Sequence, residues 1–569
     1  MTATSKSSSS LFRGTAIVAS LTLLSRILGF FREVLVARLF GASLIADTYF
    51  VALRIPNMLR SIFAEGALTS AFIPVFAERI KEGDTSAHKA FCSIATSLIL
   101  VTSLFSIVGI YFAEAVVSFV APGFTSNPEQ FALAVKLTQI MFPYIICVSL
   151  ITLFNGALNS LHIFGISALA QVVMNLVLII GAYLAAYYEK TEAAYFLSYS
   201  VVFGGVLQVL TQMPALKKAG FPLLFLGNPF SKSTISVCVL MIPAVLGANL
   251  YQLTIFISTQ LASSLEAGSV AWLSFADRFV QLPVGVITIA LSSVLLPTLA
   301  RTASENNSKE FNKALIDSLR FTVFLMIPTA VGIICFAPYL VSLLLERGAF
   351  DAHAALNTAY VARAYAIGLI PISLHALLIR ALQAKKDTLT PTLIGCVTLF
   401  TTLIFCLLLI GPLPRYDEGQ ISVGFLQACL YNFLNSIGGE PVVAATTLYQ
   451  LGAIGLALGS SLSMLCTAIF SGLIVAKRNP TLHWSPLWIA TLKTSICTAI
   501  AALCSLPVIV RSLIPLSNTH SFEILRIVLF SLILFLGLKV LNSSEFKETF
   551  EKIRRFPLYG KWNRSSKQT

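Results

Sequence analysis

Arginine recurs inside segments of this chain that are otherwise apolar enough to lie in a membrane. From Leu11 to Ala77 the sequence reads as two long apolar segments, yet they carry Arg26, Arg32, Arg38, Arg54 and Arg60. About 20 apolar residues suffice to cross a bilayer as a helix. A cation at the bilayer centre then costs roughly 3 kcal/mol on insertion scales, and such residues persist where they face a water-filled cavity or an anionic partner. Five arginines in two segments therefore point to a transporter interior built for an anionic substrate.

The rest of the composition agrees. Of 569 residues, 56% are hydrophobic and 11% charged, where a soluble domain carries about 25% charged residues. The start, MTATSKSSSS, is polar, and the apolar stretch after it is too long for a cleavable signal, so the first span is expected to stay in the mature protein. The net charge of +14 could suggest nucleic acid. Most Lys and Arg fall in alternate loops, however, as the positive-inside rule requires of a polytopic protein, so topology explains the charge and no nucleic-acid partner is expected. Ten cysteines form no C-x-x-C pair and six histidines no H-E-x-x-H, so neither a metal site nor a redox motif is indicated. There is no P-loop and no nucleophile–base arrangement, so the chain does not read as an enzyme and needs no cofactor.

Spans are expected near 11–38, 44–77, 91–113, 133–157, 163–188 and 193–215, then near 234–262, 270–300, 315–345, 356–383, 391–413 and 446–476, with two more near 485–510 and 522–541. The fold class is thus all-α and polytopic, with about fourteen transmembrane helices. With both termini in the cytoplasm, the inside loops hold Arg79, Lys81, Lys89, Lys217, Lys218, Lys232, Arg301, Lys309, Lys313, Arg380, Lys385, Lys386, Lys477 and Arg478, and the basic tail follows. The outside loops hold only Lys190, Arg347, Arg415 and Arg511.

The chain repeats itself. Ser70-x-x-x-Pro74-x-x-Ala77 is echoed by Ser293-x-x-x-Pro297-x-x-Ala300, and Ala157-Leu158-Asn159 by Ala381-Leu382-Gln383. These echoes predict two parallel six-helix lobes, at 1–223 and 224–480, with the site at their interface. The second lobe contains an outside insertion near 414–445, read either as an interfacial helix and loop or as a poorly ordered insertion. Residues 481–545 form two appended helices outside the repeat, and 546–569 a basic cytoplasmic tail.

Within the spans, Arg26 and Arg32 flank Gly29, and a bend there could turn both toward one cavity. The second span carries Asp47, Arg54, Pro56, Asn57, Arg60 and Glu65. Pro56 frees backbone groups, which is tolerable beside a cavity. Arg60 and Glu65 either pair or line the site, while Asp47 either orients an arginine or forms an outer gate. Ala276-Asp277-Arg278 opens another long span and adds a cation from the second lobe. Arginine suits phosphate because its planar fork donates two parallel hydrogen bonds and stays charged. The candidate set is therefore Arg26, Arg32, Arg60 and Arg278 for a pyrophosphate, with Asp47, Asn57, Glu65 and Asp277 as gate or cavity support. Lys136, Arg320, Arg363, Lys493 and Arg526 stand alone near span ends and read as snorkelling or packing residues. Gly455-x-x-x-Gly459 reads as close helix packing.

At these residues the chain resembles a known family. Ser25-Arg26-x-Leu28-Gly29-Phe30-x-Arg32, Ala37-Arg38-x-Phe40-Gly41-Ala42, Ala46-Asp47-x-x-Phe50-x-Ala52 and Pro56-Asn57-x-x-Arg60-x-x-Phe63-Ala64-Glu65-Gly66-Ala67 are similar to the MurJ (MviN) lipid II flippases of the MOP exporter superfamily. Ala276-Asp277-Arg278 and Leu296-Pro297 fit the same pattern. The resemblance implies a central cationic cavity and a groove at the last two helices for a polyprenyl tail. It also implies movement of the undecaprenyl-pyrophosphate-linked peptidoglycan precursor to the outer leaflet of the bacterial inner membrane by alternating access, in cell-wall biosynthesis and cell shape. Lipid II and membrane lipids are the implied partners, with room for cell-wall synthesis or division proteins. Many relatives carry an acid three residues after the arginine of the A-D-R motif; here Gln281 stands there, which puts a charge-pair gate in doubt. Some members hold sodium with an acid in span seven, where this chain has Asn249 and no acid, so sodium coupling stays open and membrane potential is the simpler driver. Two alternatives remain: another MOP-type exporter, for oligosaccharide lipids or drugs, and a non-transporting scaffold for envelope synthesis. A drug exporter for cations calls for an excess of intramembrane acids, and a scaffold tolerates loss of the buried charges.

Overall fold

The computed structural model describes residues 3–60, 68–161, 163, 165–222, 225–248, 250–387, 389–410, 451–513 and 519–541. Glu65, Asn249, the outside insertion near 414–445 and the basic tail lie outside these residues. The described chain is helical. In order it runs α1 (Ala3–Phe40), α2 (Leu44–Arg60), α3 (Thr69–Glu82), α4 (Asp84–Tyr111), α5 (Ala113–Val120), α6 (Pro128–Met141), α7 (Tyr144–Ser160), α8 (Gly165–Ala185), α9 (Lys190–Lys218), α10 (Lys232–Ala248) and α11 (Leu250–Ser263). It continues through α12 (Ser269–Pro283), α13 (Ile289–Ser304), α14 (Ser308–Leu345), α15 (Ala352–Ile367), α16 (Leu369–Ala384), α17 (Leu389–Ile410), α18 (Gly452–Arg478), α19 (Ser485–Cys504), α20 (Pro507–Leu513) and α21 (Thr519–Val540).

Among the described residues, 11 helical stretches are long and apolar enough to cross a membrane. The other three segments expected as spans, 11–38, 44–77 and 234–262, each run through residues whose side chains are not described. Several spans are broken where the sequence supplies the means. Pro143 sits between α6 and α7, Gly368 between α15 and α16, and one wide turn, Val284–Thr288, follows Pro283 between α12 and α13. A helix interior loses a hydrogen bond at proline, and the tolerance for that loss in a membrane depends on a local substitute partner. The echoed sequence segments fall in α3 and α13, and in α7 and α16.

Contacts divide the chain into two compact units. The first comprises Met1–Arg278, Ser342–Thr358 and Thr402–Gly459. In it α1 packs along α8, α8 along α9, and α2 against α6. Its core is aromatic: Phe72 stacks on Phe76 at 4.8 Å, and Phe91 meets Phe221 at 4.9 Å and Phe154 at 6.0 Å. Phe72, Phe76, Phe91 and Phe154 are fully buried. Gly455 and Gly459 also belong here. A Cβ on Gly455 would stand 2.2 Å from the Leu409 carbonyl oxygen, and one on Gly459 2.8 Å from the Cys406 nitrogen, so the small-residue pair sets the approach of α18 to α17.

The second unit comprises Phe279–Val341, Ala359–Thr401 and Ser460–Thr569. Its core is aliphatic, with Leu299, Leu315, Leu319, Leu377 and Val475 all buried. Hydroxyl pairs join its helices: Thr398 meets Thr467 at 3.0 Å and Thr401 meets Ser463 at 2.7 Å. The last two long helices pack on α14, Phe324 against Cys497 and Leu538, and Phe336 against Ala501 and Phe530.

Two of the arginines read as snorkelling or packing residues have structural partners. Arg363 donates from Nε to the carbonyl of Ile334 at 2.8 Å. Ile334 lies four residues before Pro338 in α14, so its carbonyl lacks the usual helical donor, and Arg363 supplies one. Arg526 is only 6% exposed. Its guanidinium pairs with both oxygens of Glu523 at 2.7 and 2.6 Å and donates to the Ser505 carbonyl at 2.8 Å, fastening α21 to the end of α19.

Candidate functional site

The apolar run of α1 places Arg32 and Glu33 deep in the first unit, facing α8 and α12. Glu33 is the centre of the arrangement. Its Oε1 accepts from Arg32 at 2.5 Å and lies 3.1 Å from the Arg278 guanidinium. The Glu33 side chain is 5% exposed, that of Arg32 17% and that of Arg278 37%. One buried carboxylate thus holds two guanidiniums from helices distant in sequence, and exposure increases from the acid to the outer arginine. A buried ion pair needs such extra partners to offset its desolvation.

Asn175 on α8 completes the support. It accepts from Arg32 Nη1 at 3.3 Å, and its own amide donates to the Ser25 carbonyl at 2.9 Å and the Ser25 hydroxyl at 3.1 Å. Arg32 is therefore oriented from two sides. Its guanidinium, beside that of Arg278, is a planar donor suited to an anion.

The other arginines occupy different settings. Helix α1 continues unbroken through Gly29, so the structure has no helix break there to turn Arg26. Arg26 is half-buried on the same helix and, among the described residues, makes no side-chain hydrogen bond or ion pair. Arg54 projects from α2 and donates to the Thr259 hydroxyl on α11 at 2.7 Å and the Ser274 hydroxyl on α12 at 3.4 Å. Arg60 is half-buried at the end of α2, and Glu65, its expected neighbour, lies outside the described residues. Asn57 donates to the Leu53 carbonyl at 2.9 Å, a bond within its own helix beside Pro56. Asp277 is half-buried next to Arg278.

Asp47 takes neither an arginine nor a polar side chain. Its two carboxylate oxygens accept from the backbone N–H groups of Gly268 and Ala271, each at 2.7 Å, with the residue 3% exposed. The first N–H groups of any helix have no partner inside it. Asp47 caps α12 from α2, and a carboxylate also complements the positive end of the helix dipole. Since α12 carries Arg278, Asp47 is a positioning residue for the outer arginine. Phe50 and Phe350 grip the same helix through Phe275, at 5.1 and 5.4 Å.

The turns around this cap meet backbone to backbone. Ala349 N–H donates to the Arg38 carbonyl at 2.9 Å. Gly41 has φ +65°, and a Cβ there would stand 2.2 Å from the Ala349 carbonyl oxygen; Gly268 has φ +95° and would approach the Ala42 carbonyl oxygen at 2.8 Å. Only glycine combines that backbone conformation with that approach. The three turns lie at 41–43, 264–268 and 346–351.

The sequence pattern marks Arg32 and Arg278 but passes over Glu33 and Asn175. For Glu33 the signal exists, since a carboxylate in mid-span is as anomalous as a guanidinium. For Asn175, one amide in an apolar helix, it is weak.

The chain as a whole is similar to known proteins. The family model described as lipid II flippase MurJ matches residues 36–416. The chain is 38% identical over 436 residues to the lipid II flippase MurJ of Burkholderia cenocepacia, covering 75% of this chain and 83% of that one. It is 33% identical over 486 residues to the probable lipid II flippase MurJ of Rhizobium tropici, covering 83% and 87%. A solved structure of lipid II flippase MurJ in an inward closed conformation superposes with a TM-score of 0.72 at 23% identity, covering 92% of this chain and 98% of that one. An inward-facing multidrug resistance MATE transporter of the MOP superfamily superposes with a TM-score of 0.61 at 14% identity, covering 82% and 98%. These two likenesses speak for the fold.

Proposed function

Because the chain belongs to the lipid II flippase MurJ family, we infer that it carries lipid II across the bacterial inner membrane for peptidoglycan synthesis, with Arg32 and Arg278 gripping the pyrophosphate. The protein is a multi-pass membrane transporter and not an enzyme. The observation that carries the site assignment is the pairing of Arg32 and Arg278 on one buried carboxylate. Glu33 neutralises one of the two cations, so the group keeps a single net positive charge and can hold an anion reversibly. Arg26 and Arg60, on the first two helices, supply further cations along the path. Transport by alternating access fits a site that is closed on one side by the turns around Asp47. Membrane potential is the driver we favour; each charge moved is worth about 2.3 kcal/mol per 100 mV.

The direct test is rescue of a bacterium depleted of its own flippase, followed by lipid II exposure at the outer leaflet. Growth with restored lipid II exposure is expected. Stable insertion with no lipid II at the outer leaflet would refute the assignment.

Both termini are proposed to be cytoplasmic, from the distribution of loop cations. Reporter fusions at Lys81 and Lys386 should read inside and one at Asn127 outside. An outside reading at Lys386 would overturn the topology.

A further inference from the structure

The second unit contains a cavity of about 430 Å³ at the ends of four spans, lined by residues that include Asn306, Ser308, Phe311, Lys385, Lys386 and Asn479. These helical stretches are Ser269–Ser304, Ser308–Leu345, Ala352–Ala384 and Gly452–Arg478, and the lining residues stand at or just beyond their ends. On the loop-charge topology this is the cytoplasmic end.

Its shape follows from two helix ends. Asn306 and Lys386 have φ of 53° and 61° and are the non-glycine residues with positive φ among those described. Each closes a helix in the same way. Asn306 N–H and Asn307 N–H bond the carbonyls of Ala303 and Thr302, and Lys386 N–H and Asp387 N–H bond those of Gln383 and Leu382. This is the left-handed cap that ends a helix and satisfies its last carbonyls. It is usually glycine; here both caps carry a side chain capable of donating to a ligand.

The chemistry of the lining is one-sided. It holds two lysines and no carboxylate. Lys385 is committed to the wall, its Nζ donating to Asn479 Oδ1 and lying 5.1 Å over the Phe311 ring. Of the carboxylates nearby in sequence, Asp387 is taken by Arg478 and Glu310 by Arg301 and Asn307, while Glu305 adjoins Asn306. By contrast, the Lys386 ammonium, the Asn306 amide and the Ser308 hydroxyl make no side-chain hydrogen bond among the described residues. Burial, and after it the Arg478 guanidinium, hold the Lys385 ammonium below the usual lysine pKa.

We propose that this cavity binds the headgroup of an anionic phospholipid of the cytoplasmic leaflet, its phosphate held by Lys386, Asn306 and Ser308. Basic pockets between helix ends at a cytoplasmic interface are suited to such headgroups. A bare phosphate leaves most of this volume unfilled, whereas a glycerophosphate headgroup with its first ester carbons occupies it. The site is separate from the Arg32–Glu33–Arg278 group and does not depend on what that group transports.

The test is native mass spectrometry of the full chain titrated with phosphatidylglycerol or phosphatidylcholine, in the wild type and in Lys386→Asn and Ser308→Ala. Asparagine tolerates positive φ, so Lys386→Asn removes the charge without breaking the cap. Wild type should retain phosphatidylglycerol in preference to phosphatidylcholine, and Lys386→Asn should weaken that binding about tenfold, the worth of one charged hydrogen bond. Lys81→Asn, the same loss of charge at the same expected face, should leave it unchanged. Equal phosphatidylglycerol binding by wild type and by a Lys386→Asn protein with an unchanged thermal midpoint overturns the site. If Lys386→Asn lowers that midpoint, Ser308→Ala and Lys386→Gly decide the matter by the same comparison. Displacement of the lipid by millimolar inorganic phosphate, or binding without preference for the anionic lipid, overturns the lipid headgroup assignment.

Discussion

Glu33→Ala is expected to abolish growth rescue in a flippase-depleted bacterium, as completely as loss of either arginine it holds. The carboxylate sits 2.5 Å from Arg32 and 3.1 Å from Arg278, and it is nearly inaccessible. Removing one partner of a buried ion pair costs about 3–5 kcal/mol, because the remaining charge is left uncompensated. Here two charges are left. Glu33→Gln keeps an acceptor but not the charge, and should lower transport at least about tenfold. Arg278→Lys should retain only part of the wild-type activity, since an ammonium lacks the planar fork. Arg320→Ala serves as a comparison, because Arg320 pairs with Asp317 at 3.3 Å and takes no part in the Arg32–Glu33–Arg278 group. Arg363→Ala is unsuitable as a control, since it strands the Ile334 carbonyl. Stable Glu33→Ala and Arg278→Ala proteins that move lipid II at the normal rate would rule out the pyrophosphate assignment.

The second large effect is expected at Asp47. Asp47→Ala leaves the N–H groups of Gly268 and Ala271 without their acceptor, and each hydrogen bond to a charged group is worth about 1.5–3 kcal/mol. Asp47→Asn is nearly isosteric but should fare little better. Its amide offers one acceptor and turns a donor toward the second N–H. Both variants should lower the thermal midpoint of the purified protein and reduce transport by about tenfold or more, because Arg278 loses the anchor of its helix. Asp47→Glu should recover stability only in part, as the longer side chain displaces both bonds. An Asp47→Asn protein with wild-type midpoint and rate would show that the cap does not position Arg278.

The contrast between Asp47 and Arg32 shows what a sequence of this kind discloses. An arginine in an apolar segment is conspicuous because its cost in hydrocarbon is large wherever it lies, so Arg32 and Arg278 stand out by residue type alone. The long apolar segments are legible for the same reason. Glu33 shares that cost, but beside Arg32 it reads as a simple neighbour until α12 is seen to bring a second guanidinium to it. Asp47 is a different matter. Its partners are two backbone amides more than two hundred residues away, and main-chain groups leave no mark on a sequence. Arg363 and Pro338 lie between these cases. Each is visible alone, but their relation appears only when α15 is laid against α14.

The turns that meet beside Asp47 have a kinetic consequence. They are joined by a main-chain hydrogen bond from Ala349 to the Arg38 carbonyl and by glycine contacts, with the buried ring of Phe350 set against Phe275 beside them. Separating an apolar seam exposes hydrocarbon to water and costs free energy in proportion to its area, about 25 cal/mol per Å². Separating a hydrogen-bonded seam at a wet boundary exchanges each bond for one to water, at a net cost of only about 0.5–1.5 kcal/mol for a neutral pair. This seam combines both: one main-chain bond fixes its geometry, and the buried Phe350–Phe275 contact adds an apolar cost to opening. The glycines at 41 and 268 set how closely it can shut again.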